Sequence, residues 1–280
     1  MKTKEDIINH LKEWAKQESI QIDKDGYVID RDDNFYQTLN KETVRDLMGG
    51  DGNEYSENKN IRTKIFALHS SSALVCNIFD YWRIIDKIHL QKAFQFKNRG
   101  IKAIIFEQKL SMSMQGNMPN ADLFMILTDG TAVAIESKFT EWMTKKTKKE
   151  PFSDSYFIND VTRWTDVGLP NSQNLAESLY HGDEKFDYMD APQLLKHALG
   201  LANKHSIRSI LLYLYYDLPD GNEIKELHDD EINQFSKALN DELNFKAIRY
   251  QDLMTELEKY ATGYGDFKEY RKYIQKRYSM

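Results

Sequence analysis

The chain has 280 residues, with 38 lysines and arginines against 44 aspartates and glutamates for a net charge of -6. Its 41% apolar content excludes a wholly disordered chain and supplies one sizeable core, so one large domain with appendages is the expected organisation. The single cysteine, Cys76, excludes an intrachain disulfide and a cysteine-rich zinc site, and with an N-terminus that lacks an apolar signal core it points to a reducing cytoplasm.

Ile7, Ile8, Leu11, Trp14 and Ala15 recur at helical spacing and predict a docking helix over residues 4–17. IQID and YVID then flank Lys24-Asp25-Gly26, a small hairpin outside the main sheet. Residues 49–60 have no apolar period and read as an exposed linker. They separate an N-terminal helix and hairpin, residues 1–60, from the main domain, residues 61–280.

The stretch from Ser70 to Ile88 is apolar on more than one face, with serines to cap its start, and predicts a buried helix. Three strands follow over residues 101–110, 121–127 and 131–139, apolar on both faces except at a few charged positions, as in the middle of a sheet. Residues 139–190 read as irregular and aromatic-rich. Beyond them come a helix over 191–205, a buried strand within 207–219, a helix over 229–243, a strand over 245–251 and a helix over 252–260. No apolar stretch approaches the roughly 20 residues that a membrane span requires.

Negative net charge argues against a nucleic-acid partner, because lysine and arginine supply most of the affinity for phosphate. The distribution argues the other way. Five lysines stand between Lys138 and Lys149 against Glu141, and five bases between Lys268 and Arg277 against Glu269. Lys145, Lys146, Lys148 and Lys149 are therefore candidates for contacting a nucleic-acid backbone, with a plain solvated face as the alternative.

Asp122, Glu136 and Lys138 interrupt strands that are otherwise apolar, where an ion must be paired or metal-bound. The loop at Asp129-Gly130 decides whether they meet. A two-residue loop turns Asp122 away from Glu136, whereas a three-residue loop, Thr128 to Gly130, with its glycine in the left-handed conformation places the two opposite each other. Alternation then brings Lys138 to the same face and turns Ser137 to the other, and Ala132 and Ala134 leave room there for a ligand. Paired carboxylates suit a hard divalent cation such as Mg2+, and the adjacent lysine suits phosphodiester hydrolysis.

Pro119-Asn120-Ala121-Asp122 followed by Glu136-Ser137-Lys138 resembles the signature of the PD-(D/E)XK nuclease superfamily, which includes many restriction endonucleases. The resemblance covers residues 62–217 and implies a restriction-endonuclease-like α/β core, a mixed central sheet flanked by helices in the order αβββαβ. It implies that Asp122 and Glu136 hold Mg2+ or Mn2+, that Lys138 assists the nucleophilic water, and that the Ser137 carbonyl is a further ligand. Glu107 resembles the additional acid that many members place beside the metal, and Gln193 and Lys196 resemble polar residues on the helix after the catalytic hairpin. Asp122 stands three places after Pro119 rather than next to it, a common departure.

The resemblance implies a DNA substrate, with RNA as the alternative, no membrane partner, and allows a homodimer. Competing readings are a nuclease fold that binds nucleic acid without turnover, and a structural or partner-binding α/β domain for which the three charged residues are an ion pair at a strand end. His197, one helical turn from Gln193, reads as a core histidine. No phosphate-binding loop, dinucleotide loop, calcium loop or His-Glu-x-x-His pairing is present.

Overall fold

A computed structural model describes residues 3–50, 54–56, 58, 61–112, 118–147, 150–157, 162–205, 208–260 and 265–279. Helix α1 (Lys4–Gln17) starts at a Thr3–Asp6 capping box and buries Ile7, Leu11, Trp14 and Ala15. The expected hairpin is reduced to a single bridge between Ile22 and Val28 around Gly26, whose φ of 83° glycine supplies without strain. Helix α2 (Lys41–Gly49) follows, and α3 (Ser71–Ile84) is capped by the Ser70 side chain and buried on several faces. Helix α4 (Ile88–Ala93) leads into the sheet.

That sheet has five strands in chain order: β1 (Ile101–Lys109), β2 (Asn120–Leu127), β3 (Ala132–Lys138), β4 (Ile210–Tyr215) and β5 (Asn244–Arg249). The first three are antiparallel, and β4 and β5 continue parallel to β3, giving the mixed sheet expected. Helix α7 (Ala191–Lys204) crosses from β3 to β4 and packs on both, and α8 (Glu223–Leu239) crosses from β4 to β5. On the opposite side Ser137 meets Tyr250 at the start of α9 (Tyr250–Tyr260), while Phe139 packs on Tyr278 of α10 (Gly265–Tyr278).

Residues 139–190 are more regular than their sequence suggests. Besides α5 (Arg163–Asp166) they hold α6 (Pro170–His181), with proline at its first turn and Gly182 in the left-handed conformation at its end. The start of α6 is capped from far away: the Glu242 carboxylate accepts from the Asn171 and Ser172 backbone at 2.6 and 2.5 Å. Helix α8 begins at an Asn222 cap rather than at Asp229, which puts Glu223 and Glu226 in its first turn, where the helix dipole favours acid. Among the described residues no helix is long and apolar enough to cross a membrane.

Helix α10 ties the chain ends together. Arg277 is fully buried, donates to the Asn34 carbonyl at 2.9 Å and to Asn34 Oδ1, and lies over the Trp14 ring at 4.4 Å. Arg277→Ala should leave the Asn34 acceptors unpaired and lower stability by about 3 kcal/mol. Arg277→Lys should recover little, because an ammonium lacks the guanidinium fork. Urea denaturation measures both, and an unchanged midpoint for Arg277→Ala would exclude the clamp.

Candidate active site

The β2–β3 connection is the three-residue loop: Leu127 N–H donates to the Thr131 carbonyl at 2.9 Å, and Gly130 has φ 84°. The pairing Leu123↔Ile135 then puts Asp122 level with Glu136 one residue further on. On the other side of β2, Phe106↔Leu123 and Gln108↔Ala121 put Glu107 level with Asp122. Glu107, Asp122 and Glu136 thus form one row across three strands. Glu107 is strained, with φ 47° in the middle of a strand, a conformation that costs about 1–3 kcal/mol in a non-glycine residue.

Lys138 lies two residues along β3, on the Glu136 face. Its ammonium donates to Glu136 Oε1 and, at 3.1 Å, to Gln193 Oε1 on α7. The first turn of α7 is fixed by Asp190, which accepts from the Gln193 backbone at 3.2 Å. Asp122 Oδ2 accepts from the Ser137 N–H at 2.6 Å, and Ser137 Oγ is 2.7 Å from the Tyr250 hydroxyl on the opposite face.

The acids raise one another. Burial, then the charge of Asp122, pushes Glu107 up to about 9. Burial and then Glu136 hold Asp122 well above the usual carboxylate range, and burial raises Glu136 against the pull of Lys138. Burial opposes the charge on Lys138, but Glu136 and Asp122 outweigh it, so its pKa stands above the usual ammonium value and it remains a cation. Glu136 is fully buried, and its Oε2 has no hydrogen-bond partner among the described residues.

His197 Nδ1 lies 3.5 Å from that oxygen. Burial, then Lys138, lowers its pKa to about 3, so it is a neutral core histidine and the contact is not an ion pair.

Three expectations change. Ala132 and Ala134 do not leave a space over the sheet: both are fully buried, and α7 packs on β3. A side chain at Gly200 of α7 would meet Leu110 Cβ at 2.6 Å, so small residues here let the helix close. Within the 49–60 stretch Gly49 and Asn58 are exposed as expected, but Gly50 and residues 54–56 are half-buried and docked. A Cβ at Gly50 would stand 2.9 Å from Glu107 Oε2, while Glu54 accepts from Ser72 Oγ at 2.7 Å and from Lys64 Nζ at 2.8 Å. Glu54 adds its charge to Glu107 and Asp122, a role no local motif announces. The basic run is also partly engaged: Lys145 pairs with Asp187 at 2.7 Å and Lys146 with Asp190 at 2.8 Å. Lys148 and Lys149 lie outside the described residues.

A helix, an antiparallel three-strand unit, a helix and a parallel strand, with two acids and a lysine gathered on the second hairpin, make up a restriction-endonuclease-like fold. Residues 8–279 match the model of the family REase-ARP, described as restriction endonuclease associating with ARP, and the chain belongs to that family. The match takes in most of the N-terminal helix and α10 as well as the core, and membership carries a nuclease-like function. No curated protein and no solved structure matches the chain significantly.

The raised pKa of Glu107 has a measurable consequence. The folded chain keeps that proton up to about pH 9, whereas the unfolded chain releases it near the ordinary glutamate value, so stability falls as pH rises through this interval. With EDTA present, Glu107→Gln should raise Tm at about pH 8 and leave it unchanged at about pH 4. Equal gains at both pH values would mean that packing, not ionisation, is responsible.

Proposed function

We propose that the chain is a divalent-metal-dependent nuclease that hydrolyses phosphodiester bonds in DNA, with Asp122 and Glu136 holding Mg2+ or Mn2+. The observation that carries the reading is the row Glu107, Asp122, Glu136: two buried acids and a half-buried one that repel one another, with Glu136 Oε2 left unpartnered beside one lysine. Among the described residues no set of three or more His, Cys, Asp or Glu side chains is placed to hold a metal ion. Two carboxylates suffice for magnesium, which keeps several waters and takes further oxygens from substrate. Asp122 and Glu136 therefore fit the ion, with the Ser137 carbonyl as a further oxygen, and Glu107 stands level with the pair rather than as a third carboxylate ligand.

When bound, such an ion lowers the pKa of water and offsets charge on the scissile phosphate. The remaining work falls to the protein. Two of the three ammonium protons of Lys138 are taken by Glu136 and Gln193, and the third is available to hold a water or a phosphate oxygen. Gln193 orients that ammonium without neutralising it. Because Lys138 stays charged, its role is to orient the nucleophile and stabilise developing negative charge rather than to abstract a proton.

Incubating plasmid and single-stranded DNA with the protein and Mg2+ tests the proposal. Cleavage should require the metal, Glu136→Ala should lower it by about 100-fold or more while leaving DNA binding in place, and Lys138→Ala should lower kcat more than it raises KM. DNA binding without cleavage under Mg2+ or Mn2+ would replace the enzyme with a binding module, and neither binding nor cleavage would leave a structural domain.

A further inference from the structure

A cavity of about 1080 Å3 opens between α6, the start of α7 and residues 150–157. It adjoins the candidate active site through two residues. Gln193, which holds Lys138 at 3.1 Å, is part of its wall, and Pro119, at the head of the strand that carries Asp122, is another part. Phe152 and Tyr156 supply an aromatic wall, and the Lys196 ammonium stands 5.0 and 5.5 Å from their ring centroids and 3.3 Å from the Pro151 carbonyl. Lys146, paired with Asp190 at 2.8 Å, and Lys185 bring further cations, and Glu150 and Glu184 stand in the same lining.

Shape and chemistry together select the occupant. Pockets of roughly 300 to 1,000 Å3 enclose molecules of drug size, which is the scale of one or two nucleotides. A duplex, whose major groove alone is about 12 Å wide, does not enter such a space. Proteins that hold a single strand combine cations along the backbone with apolar and aromatic surface for the bases, and this cavity has both beside Gln193, the partner of Lys138.

We propose that the cavity receives unpaired nucleotides flanking the scissile phosphate, so that the substrate is single-stranded DNA or a frayed end rather than an intact duplex. This rests on the nuclease reading above. Lys146 and Lys196 hold phosphates, and Pro119, Phe152 and Tyr156 face the bases.

Fluorescence anisotropy with the full-length Glu136→Ala protein tests it, using a labelled oligothymidylate and a blunt hairpin duplex of equal length. The single strand should bind about tenfold tighter or better, and Lys196→Gln should weaken it and lower the slope of log K against log salt by about one. Thr147 is exposed at the cavity rim, so Thr147→Glu should weaken the single strand and Thr147→Lys strengthen it, a sign reversal that misfolding cannot mimic. Equal affinity for the hairpin, or unchanged affinity in Lys196→Gln and both Thr147 variants, overturns the proposal. Mg2+-dependent cutting of the hairpin by the parent protein, with these binding results flat, keeps the nuclease and removes the cavity's role. Single-strand preference and charge effects without any cleavage keep the cavity and remove the nuclease.

Discussion

The central constraint is the burial of like charge. A sheet whose β3 and β4 are almost wholly out of water carries three acids in one row, and the countercharge that β3 itself supplies is the half-buried ammonium of Lys138. Such a row is unfavourable unless its members keep protons or share a cation, and all three carboxyls are held above their usual range. The packing around it is correspondingly committed: α7 braces the lysine through Gln193, and β1 accepts a left-handed Glu107 in mid-strand. A structure optimised only for stability would replace this row with apolar residues of similar volume, which makes the row itself the strongest structural argument for a function.

Much of the surrounding fold exists to hold that row. Asp190 is the clearest case, since it caps α7, pairs with Lys146, and adds its charge to the environment of Glu136 and His197. On the other face of β3, the Ser137–Tyr250 contact ties the strand to α9, and Asn77 of α3 donates to the Tyr278 hydroxyl at 3.0 Å. Helix α10 then reaches the N-terminal elements through Arg277. The family match over residues 8–279 is in keeping with that connection, because both chain ends share the packing that supports the sheet.

The parts legible in the sequence were those governed by local chemistry. Alternation reduced the β2–β3 register to two alternatives, and Gly130, at φ 84°, takes the left-handed position that the three-residue one requires, which brings Asp122 level with Glu136. Apolar periodicity located α1, α3, α7 and all five strands to within a few residues. What was hidden depends on partners distant in the chain. Helix α6 donates its first N–H groups to the Glu242 carboxylate, and its polar residues gave a weak period, so the surrounding segment looked irregular. Glu54 lies in a stretch of glycine, asparagine and charge whose composition signals solvent, yet Ser72 and Lys64 hold it against the acid row. Neither contact has a sequence spacing that announces it.

The same distinction applies to charge. A run of lysines invites a reading as a nucleic-acid surface, but Asp187 and Asp190, more than forty residues away, pair with Lys145 and Lys146 and lessen the charge the run presents. Conversely, a chain with net charge -6 can present a cation where substrate arrives, because the acids that set the total are concentrated elsewhere, as at the start of α8. Screening reduces the influence of such remote exposed charge beyond about 10 Å, while Lys138, partly buried, keeps its field. Under the proposed nuclease reading, phosphate recognition depends on the cations near Lys138, and the net charge of the chain has little bearing on it.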